Sequence, residues 1–509
     1  MRNHQNNILF PHFTLHDKFT KMPPMSPSFI KALQSLPSQS EILLKGDERM
    51  TPYLEDVVLK GDPDAVVRAR DLQDIQNILE YCHYHKIPVT FAGGQTSLTG
   101  SSVALNGLLI ATQKMDHILD ISFDPQRKAT IARVEPGIVL GEFQRAVADQ
   151  GLYYPPDPTS RFEAFLGSTV ATNATGEDTF LYGATRHYID HLKVILATGK
   201  ILELHRPHGS RGDPCKNLGG YSLKKDPIDH FIGSEGTLGF IAEIGVHLLP
   251  ASPEWFAGIA FFPHLQAALE CVVQLLKNPA ISPRALELLD HASLDIIKKT
   301  QSVPHLPNEE VTAIYFKQEF DDSKNSASFM ESWYHLFEEI LKKHHAPHLL
   351  EAIIIADHPK QKEEIRQWRH AIPSWINETL RQYYPDGGGK VSSDWWVPPE
   401  HIISMMTEVA EDNRALKIPT VCFGHIGNGH PHINYITHNK KEKEKAKTLV
   451  RRHARKAVKR GGGVAGEHGL GKIYRDMLSV QYNSQTIQEM KDLKKYYDPH
   501  WILGQGNIF

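Results

Sequence analysis

Two glycine-rich stretches near the C-terminus contain the residues best suited to chemistry. Residues 424–434 read GHIGNGHPHIN, and residues 461–471 read GGGVAGEHGLG. Imidazole nitrogens and carboxylate oxygens are good ligands for Zn²⁺ and similar divalent ions. Glycines let the backbone pass close to a ligand. The two stretches therefore predict a metal site with a histidine base beside it.

The composition indicates a globular, multidomain chain. Its 509 residues exceed the size of one ordinary core, and 41% hydrophobic with 23% charged residues is typical of a globular protein. The net charge of -3 gives no overall attraction to nucleic acid. The four cysteines, Cys82, Cys215, Cys271 and Cys422, show no CxxC spacing, which argues against a disulfide framework, a cysteine zinc site or an iron–sulfur cluster.

The location predicted from these features is the cytoplasm. Widely spaced cysteines fit a reducing compartment. No apolar run approaches 18 residues, so we expect no transmembrane helix, and residues 1–20 lack the apolar core of a signal peptide. Peripheral contact with the inner membrane is left open.

The N-terminal half predicts strands and helices that lead into glycine-rich blocks. Ala65–Ala69 is a predicted strand, Asp71 caps a predicted helix, and Ile87–Phe91 is the next strand, followed by AGGQTSLTGSS at 92–102. A strand, a helix, a strand and a glycine loop outline a phosphate site. Three more blocks follow: PPDPTS at 155–160, LGSTVATNATG at 166–176 and FIGSEGTLGFI at 231–241, with a predicted hairpin at 191–204.

The composition changes near residue 251, where we place a domain boundary. The predicted domains are a lead-in at 1–49, a first domain at 50–250 and a second at 251–509. The second domain alternates predicted strands and helices. The strands are Phe256–Phe262, Val311–Lys317 and Ala352–Ile355, and the helices are His264–Lys277, Ala327–Lys343 and Pro359–Tyr384.

A basic helix is predicted at 439–460, with an apolar stripe that includes Leu449, Val450 and Ala457. Such a helix can lie on a membrane surface. The stripe is short and lacks Trp or Phe, so we favour a solvated helix whose stripe packs on the core.

The blocks occur in a characteristic order: glycine loop, PPDPTS, GSTVATNATG, GSEGTLGFI, HIGNGHPHIN and GEHGLG. This order resembles the FAD-linked oxidases of the vanillyl-alcohol-oxidase superfamily. Within it, the chain is similar to the branch of D-lactate, glycolate (GlcD-like) and D-2-hydroxyglutarate dehydrogenases, from about residue 50 to the C-terminus. The implied fold is α+β: a two-subdomain PCMH-type FAD-binding domain, then a mixed α/β cap domain with an antiparallel sheet.

The resemblance also implies where FAD binds. Backbone N–H groups of the first loop suit the pyrophosphate, and later blocks line and enclose the flavin. Gln95 stands where several superfamily members place a histidine that bonds FAD covalently, so non-covalent FAD is implied. The matching positions are Gly93, Gly94, Gln95, Thr96, Ser97, Gly100 and Ser101 for the pyrophosphate, Asp157, Gly167, Ser168, Asn173, Ala174 and Gly176 for the flavin, and Glu235, Gly239 and Ile241 for its enclosure.

The same resemblance places the metal ligands on His425, His432 and Glu467, with His468 as the base. A 2-hydroxy acid chelates a divalent ion, with Zn²⁺ as first choice, and the ion lowers the pKa of its hydroxyl group. An imidazole titrates near neutral pH and is suited to take that proton. His430 is an alternative to His432, because on a strand both would face one side.

Three further residues match substrate-binding positions of the family. Arg369 would hold the carboxylate bidentately, and Lys390 matches the substrate lysine. Asn434 lies two residues after His432, so on a strand both would face the same side. Asn428 and His430 depart from the usual Gly-Asp-Gly-Asn pattern, and 504–507 reads GQGN where Asn-Pro-Gly-Lys is usual. We expect these departures near the reacting end of the flavin.

The predicted function is FAD-dependent oxidation of a D-2-hydroxy acid, of the D-lactate, glycolate or D-2-hydroxyglutarate type, to the 2-oxo acid. The predicted partners are this small substrate and an electron acceptor, which is a quinone, a cytochrome or a flavoprotein. A homodimer is left open. The alternatives are a zinc-dependent hydrolase, which would leave the upstream glycine blocks without a use, and a non-catalytic flavin-binding electron-transfer subunit.

Overall fold

The computed structural model describes residues 27–35, 39–56, 58–301, 303, 306–320 and 326–509. Residues 1–26 of the predicted lead-in lie outside the described residues. The described chain forms three β-sheets with helices packed against them, which confirms the α+β class.

The first sheet has four strands in the order β1-β2-β4-β3. β4 pairs in parallel with β2 and with β3, and β1 is antiparallel to β2. The side chain of Asp71 accepts a hydrogen bond from Gln73 N at 2.6 Å, as the predicted helix cap requires. The elements are α1 (Pro27–Ser35), β1 (Glu41–Leu44), β2 (Ala65–Arg68), α2 (Leu72–His85), β3 (Val89–Ala92) and β4 (Leu108–Ala111).

The second sheet is antiparallel, with the order β5-β6-β10-β8-β9 and the short β7 beside β10. The predicted hairpin at 191–204 is β8–β9. The elements are β5 (Ile118–Asp124), β6 (Ala129–Val134), α3 (Leu140–Ala148), β7 (Leu152–Tyr153), α4 (Leu166–Thr172), α5 (Thr179–Tyr182), β8 (Ile189–Ile195), β9 (Ile201–His205), α6 (Ile228–Phe231) and β10 (Phe240–Pro250).

The third sheet has seven antiparallel strands in the order β14-β11-β13-β12-β16-β17-β15, which confirms the predicted antiparallel cap sheet. Its strands are β11 (Glu254–Phe262), β12 (Pro283–Leu289), β13 (Thr312–Phe320), β14 (Ile354–Ala356), β15 (Gly387–Ser392), β16 (Thr420–Gly424) and β17 (His432–Asn439). The helices of this half are α7 (Leu265–Leu275), α8 (His291–Thr300), α9 (Ser326–Lys343), α10 (Pro359–Thr379), α11 (Ile402–Leu416), α12 (Lys440–Lys459), α13 (Leu478–Gln481) and α14 (Ser484–Tyr497).

The predicted basic helix is α12. Asn439 caps it by accepting a hydrogen bond from Glu442 N at 3.0 Å. Leu449, Val450 and Ala457 of its apolar stripe are buried in the core, and the cationic side chains lie on its outer faces. Among the described residues, no helix combines the length and apolarity needed to cross a membrane.

The C-terminal segment returns to the first sheet. Leu503 pairs in parallel with Val89, and Gly504 N donates to Val89 O at 2.8 Å. Asn507 Nδ2 then donates to Ser101 O at 2.9 Å and to Glu235 O at 3.0 Å. The last residues of the chain therefore connect two of the glycine-rich blocks.

A buried ion pair holds this return in place. Lys494 Nζ lies 2.5 Å from Asp498 Oδ2, and it also donates to Thr237 O at 2.6 Å and Leu503 O at 2.9 Å. Asp498 is fully buried, so removal of its partner leaves an uncompensated charge.

We predict that Lys494→Met lowers the free energy of unfolding by about 3 kcal/mol, because breaking one side of a buried pair has a cost of that order. The measurement is the first transition in a urea titration. Lys495→Met, at the exposed neighbouring position, is the matched control and should change stability by less than about 0.5 kcal/mol. Equal effects of the two substitutions would contradict the anchoring role of Lys494.

Candidate active site

A cavity of about 690 Å³ lies between the glycine-rich blocks and the third sheet. Its volume falls within the range of about 300–1,000 Å³ found for cofactor and ligand sites. Eleven of the predicted flavin residues line it: Gly93, Gln95, Thr96, Ser97, Ser101, Gly167, Ser168, Ala174, Glu235, Gly239 and Ile241. The predicted metal and substrate residues Arg369, Lys390, His432, Asn434, Glu467 and His468 line it as well. The structure thus places the two predicted sites in one continuous space.

Glycine is required where the first loop packs on its neighbours. A Cβ added at Gly93 would overlap Ser168 Oγ, and one added at Gly94 would overlap the carbonyl oxygen of Glu163. Gln95 has a left-handed backbone, with φ of 53°. The loop therefore packs closely on the 166–176 block and on the segment just before it, and Gly93, Gln95, Thr96 and Ser97 line the cavity.

The remaining predicted flavin residues lie behind that wall. Asp157 pairs with Arg161 at 2.6 Å, and the main chain of Asp157 leaves no room for a side chain at Gly176. Asn173 has φ of 49°, and its Oδ1 accepts from Arg186 N at 2.9 Å. These residues, like Gly94 and Gly100, shape the cavity without lining it.

The predicted metal ligands converge at the cavity. His425 directly follows β16, His432 opens β17, and Glu467 lies in the loop after α12. Glu467 Oε2 is 3.0 Å from His432 Nε2 and 3.4 Å from His425 Nε2. The candidate ligand atoms of the three residues lie within 4.8 Å of one another. His430 points elsewhere, so the geometry groups His432, not His430, with the other two.

The charges of this cluster match a cation. Burial opposes a proton on His425, but the carboxylates of Glu287 and Glu467 outweigh that effect and raise its pKa to about 9. Burial likewise opposes the charge of Glu467, yet His425 and His432 hold the pKa of its carboxyl well below the usual range. A divalent ion at this position would supply the positive charge that the proton on His425 supplies, and it would stabilise the ionised form of Glu467. The donor set therefore fits a metal ion.

Glu287 is a functional residue that the sequence interpretation missed. It lies fully buried on β12, where Oε1 contacts His425 Nδ1 at 2.9 Å and Oε2 accepts from Arg369 Nε at 2.7 Å. A carboxylate on the second nitrogen of a metal-binding imidazole fixes the tautomer and orientation of that ring. The available signal was an acidic residue within the apolar run 285–289, ALELL, since such residues are rarely buried unless paired.

Asp394 is a second missed carboxylate. Its Oδ1 lies 3.1 Å from His468 Nδ1 and 3.1 Å from His430 Nε2. Burial opposes its charge, but His468 and His430 lower the pKa of Asp394 strongly. The pKa of His468 is raised in turn, because Asp394 outweighs the effect of burial. The ring of His468 lies 5.4 Å from that of His432, centroid to centroid.

The predicted substrate residues face the cavity from α10, β15 and β17. Arg369 stacks over Phe423, with its guanidinium carbon 5.7 Å from the ring centroid. Lys390 Nζ donates to Asn377 Oδ1 at 3.2 Å, and burial lowers the pKa of Lys390.

The side-chain amide of Asn434 forms hydrogen bonds within the third sheet. Its Oδ1 accepts from Ser392 Oγ at 2.9 Å, and its Nδ2 donates to the carbonyl oxygens of Val421 and His432 at 3.3 Å each. Asn434 therefore lines the cavity and also helps to hold the main chain of His432 in position.

Comparison with known proteins agrees with this arrangement. A family profile described as "FAD linked oxidases, C-terminal domain" matches residues 256–508, and one described as "FAD binding domain" matches residues 63–205. The glycolate oxidase subunit GlcD of Bacillus subtilis is 30% identical over 450 residues, which cover 88% of this chain and 89% of that protein. A D-lactate dehydrogenase of Anaerostipes hadrus is 29% identical over 480 residues, covering 92% of this chain and 94% of that protein.

Two further comparisons extend the likeness. A D-2-hydroxyglutarate dehydrogenase of Stutzerimonas stutzeri is 27% identical over 490 residues, covering 95% of this chain and 99% of that protein. The solved structure of an alkyldihydroxyacetonephosphate synthase superposes with a TM-score of 0.66 at 17% identity, over 98% of this chain and 88% of that one, which shows a shared fold. The predicted FAD-binding domain followed by a cap domain is thereby confirmed, while the limits at 50 and 250 stay predictions. The chain belongs to the FAD-linked oxidases, and it is an FAD-linked oxidoreductase of the glycolate oxidase, D-lactate and D-2-hydroxyglutarate dehydrogenase type.

Proposed function

We propose that the protein oxidises a D-2-hydroxy acid to the 2-oxo acid, with a divalent metal in the His425–His432–Glu467 cluster and His468 as the base. The observation that carries this proposal is the position of His468. Its Nδ1 is held by Asp394, and its side chain lines the same cavity as His432 and Glu467. A base fixed beside a cation site and a flavin site is what removal of a hydroxyl proton and a hydride requires.

Two groups supply chemistry that side chains lack. When bound, FAD would accept the hydride, and a divalent ion, with Zn²⁺ as first choice, would serve as a Lewis acid toward the hydroxyl and carboxylate oxygens of the substrate. His425, His432 and Glu467 would hold the ion. The glycine-rich blocks would hold FAD without a covalent bond, because the described histidines that line the cavity are His432 and His468, both at its metal end.

His468 acts as proton acceptor at its Nε2. The contact of Nδ1 with Asp394 engages one ring nitrogen, so the other is left to face the cavity. A carboxylate accepts hydrogen bonds, which places the hydrogen on Nδ1 and the lone pair on Nε2 in the neutral ring. This tautomer is the one a general base needs.

Arg369 and Lys390 would bind the substrate carboxylate. Glu287 accepts from Nε and Nη2 of Arg369, at 2.7 and 3.4 Å, and Nη1 lies 3.5 Å from Thr159 Oγ1. Each terminal nitrogen carries a second N–H group, and a substrate carboxylate would accept from both. Lys390 presents an ammonium group whose pKa is lowered by burial and which an incoming carboxylate would stabilise. The electron acceptor we propose is a quinone, a cytochrome or a flavoprotein.

We expect the purified protein to be yellow and to lose its visible flavin absorbance when it is mixed anaerobically with a D-2-hydroxy acid. The panel is glycolate, D-lactate and D-2-hydroxyglutarate, with L-lactate and L-2-hydroxyglutarate as stereochemical controls. A protein that binds no FAD would contradict the proposal. So would a yellow protein that dithionite bleaches and that every hydroxy acid leaves unchanged.

Gly94→Ala should weaken FAD binding. The new Cβ would overlap the main chain of Glu163, and such overpacking has a cost of about 1–3 kcal/mol, so the dissociation constant should rise roughly 5- to 150-fold. Fluorescence titration of the apoprotein with FAD measures it. Gly209→Ala is the control: it also strains the backbone, since φ is 78° there, but no atom lies within 4 Å of the added Cβ and the residue is exposed, so FAD affinity should not change. Unchanged affinity for FAD in Gly94→Ala would show that this packing does not shape the site.

His432→Ala should reduce metal affinity more than about 100-fold, since loss of an outer partner alone has a typical cost of 10- to 100-fold. FAD content should stay the same, because His432 is not among the residues predicted to hold FAD. Metal per protein is measured by elemental analysis after dialysis. His438→Ala, at the other end of β17, is the control, as His438 is half exposed and pairs with Glu442. Full metal content in His432→Ala would refute the ligand assignment.

A further inference from the structure

Asp394 forms several hydrogen bonds with residues 466–468, in addition to its contact with the ring of His468. It lies two residues beyond β15, and its main-chain oxygen accepts from Gly466 N at 2.8 Å. Its Oδ2 accepts from the main-chain N–H groups of His468 at 3.1 Å and Glu467 at 3.5 Å. Together with the contact between Oδ1 and His468 Nδ1, these bonds fix both the ring and the backbone of the base.

His430 holds the other side of the same carboxylate. Its ring is fully buried, and Nε2 lies 3.1 Å from Asp394 Oδ1, the oxygen that also contacts His468. Since a carboxylate has only lone pairs to offer, the hydrogen is on His430 Nε2. Nδ1 of His430 has no hydrogen-bond partner among the described residues. Within the described part of the chain, the contact with Asp394 is therefore the only hydrogen bond of this side chain.

The base-carrying loop is shaped to admit this histidine. A Cβ at Gly466 would lie 2.8 Å from both Cε1 and Nε2 of His430, which is too close for a real contact. Gly466 directly precedes Glu467 and His468, so the absence of a side chain there lets the imidazole reach Asp394 under the loop.

We infer, on the basis of the proposed function, that Asp394 and His430 are positioning residues for His468. Asp394 sets the tautomer and direction of the base, and His430 keeps Asp394 Oδ1 in place by donating a hydrogen bond from the opposite side. Neither side chain touches the reacting atoms. Their effect is on how often Nε2 of His468 points at the substrate hydroxyl, which alters kcat more than KM.

The test compares Asp394→Asn, His430→Leu and His430→Gln in the FAD- and metal-loaded protein, by steady-state oxidation of a D-2-hydroxy acid over a range of concentrations, with a redox dye as the acceptor that reoxidises the flavin. In the known template of a carboxylate behind a catalytic histidine, the Asp→Asn change lowers kcat by about 10⁴-fold through the wrong tautomer. We expect Asp394→Asn to lower kcat by roughly 10³- to 10⁴-fold with KM changed less than about threefold.

The two substitutions at His430 separate hydrogen bonding from packing. His430→Leu removes the donor and should lower kcat about tenfold, the effect of one ordinary hydrogen bond. His430→Gln carries an N–H near the position of Nε2 and should recover most of that loss. FAD and metal contents are measured for each variant.

His453→Leu is a closely matched control. His453 is also fully buried, its Nε2 lies 3.0 Å from Asp412 Oδ2, and its Nδ1 lacks a partner among the described residues, but it lies on α12 outside the cavity lining. Its kcat should equal that of the unmodified protein, so any loss in His430→Leu exceeds the general effect of removing a buried histidine.

Each remaining outcome is decisive. Equal kcat values for His430→Leu and His430→Gln, or a normal kcat in Asp394→Asn, would overturn the inference while the proposed function stands. Loss of FAD or metal in His430→Leu but not in His453→Leu would also overturn it, because the role of His430 would then be to build the site. If the unmodified protein reduces its flavin with none of the hydroxy acids, the proposed function itself has failed.

Discussion

The burial of Glu287 between an imidazole and a guanidinium is the interaction on which the rest of the site depends. A carboxylate on a central strand with no exposed surface is costly unless it is fully paired. Here Oε1 contacts His425 and Nη2 of Arg369, and Oε2 accepts from Nε of Arg369. These contacts tie β12 to the end of β16 on one side and to α10 on the other, so His425 and Arg369 keep a fixed separation.

The same need for paired charge joins the second and third sheets. Asp178, which directly precedes α5, is buried and accepts from Arg284 Nε at 2.6 Å and Lys317 Nζ at 3.1 Å, on β12 and β13. On the opposite side, both oxygens of Glu235 accept main-chain N–H groups of Leu470 and Gly471, at 2.8 and 2.6 Å. The flavin half and the metal half are thus held together by buried polar contacts.

Local sequence patterns predicted those secondary-structure elements that are determined by residues close together in the sequence. The helical spacing and cap of α2, the hairpin β8–β9 and the basic helix α12 all follow from residues near in sequence, and the structure has them within a few residues. Ordered glycine blocks likewise indicated which segments meet at the cavity.

The contacts between residues far apart in sequence could not be predicted from local patterns. Glu287 and Arg369 are 82 residues apart, and Asp394 and His468 are 74 apart, so no spacing within one element links them. The contacts of the C-terminal departure at 504–507 were equally out of reach, because Asn507 bonds to Ser101 and Glu235, which are 406 and 272 residues away. Its place near the reacting end of the flavin stays a prediction. A resemblance carries over residue types, whereas the contacts are set by packing between distant segments.

The separate roles of His430 and His432 show how a small change in backbone divides two neighbours. On one continuous strand both rings would face the same side, and the sequence left them as alternatives. The strand β17 begins only at His432, and Gly429 just before has a left-handed backbone with φ of 65°. His432 therefore follows the sheet and points at Glu467, while His430 lies in the turn and points at Asp394. The two rings still pack edge to face at 4.6 Å, so the turn places a ligand and a positioning residue side by side.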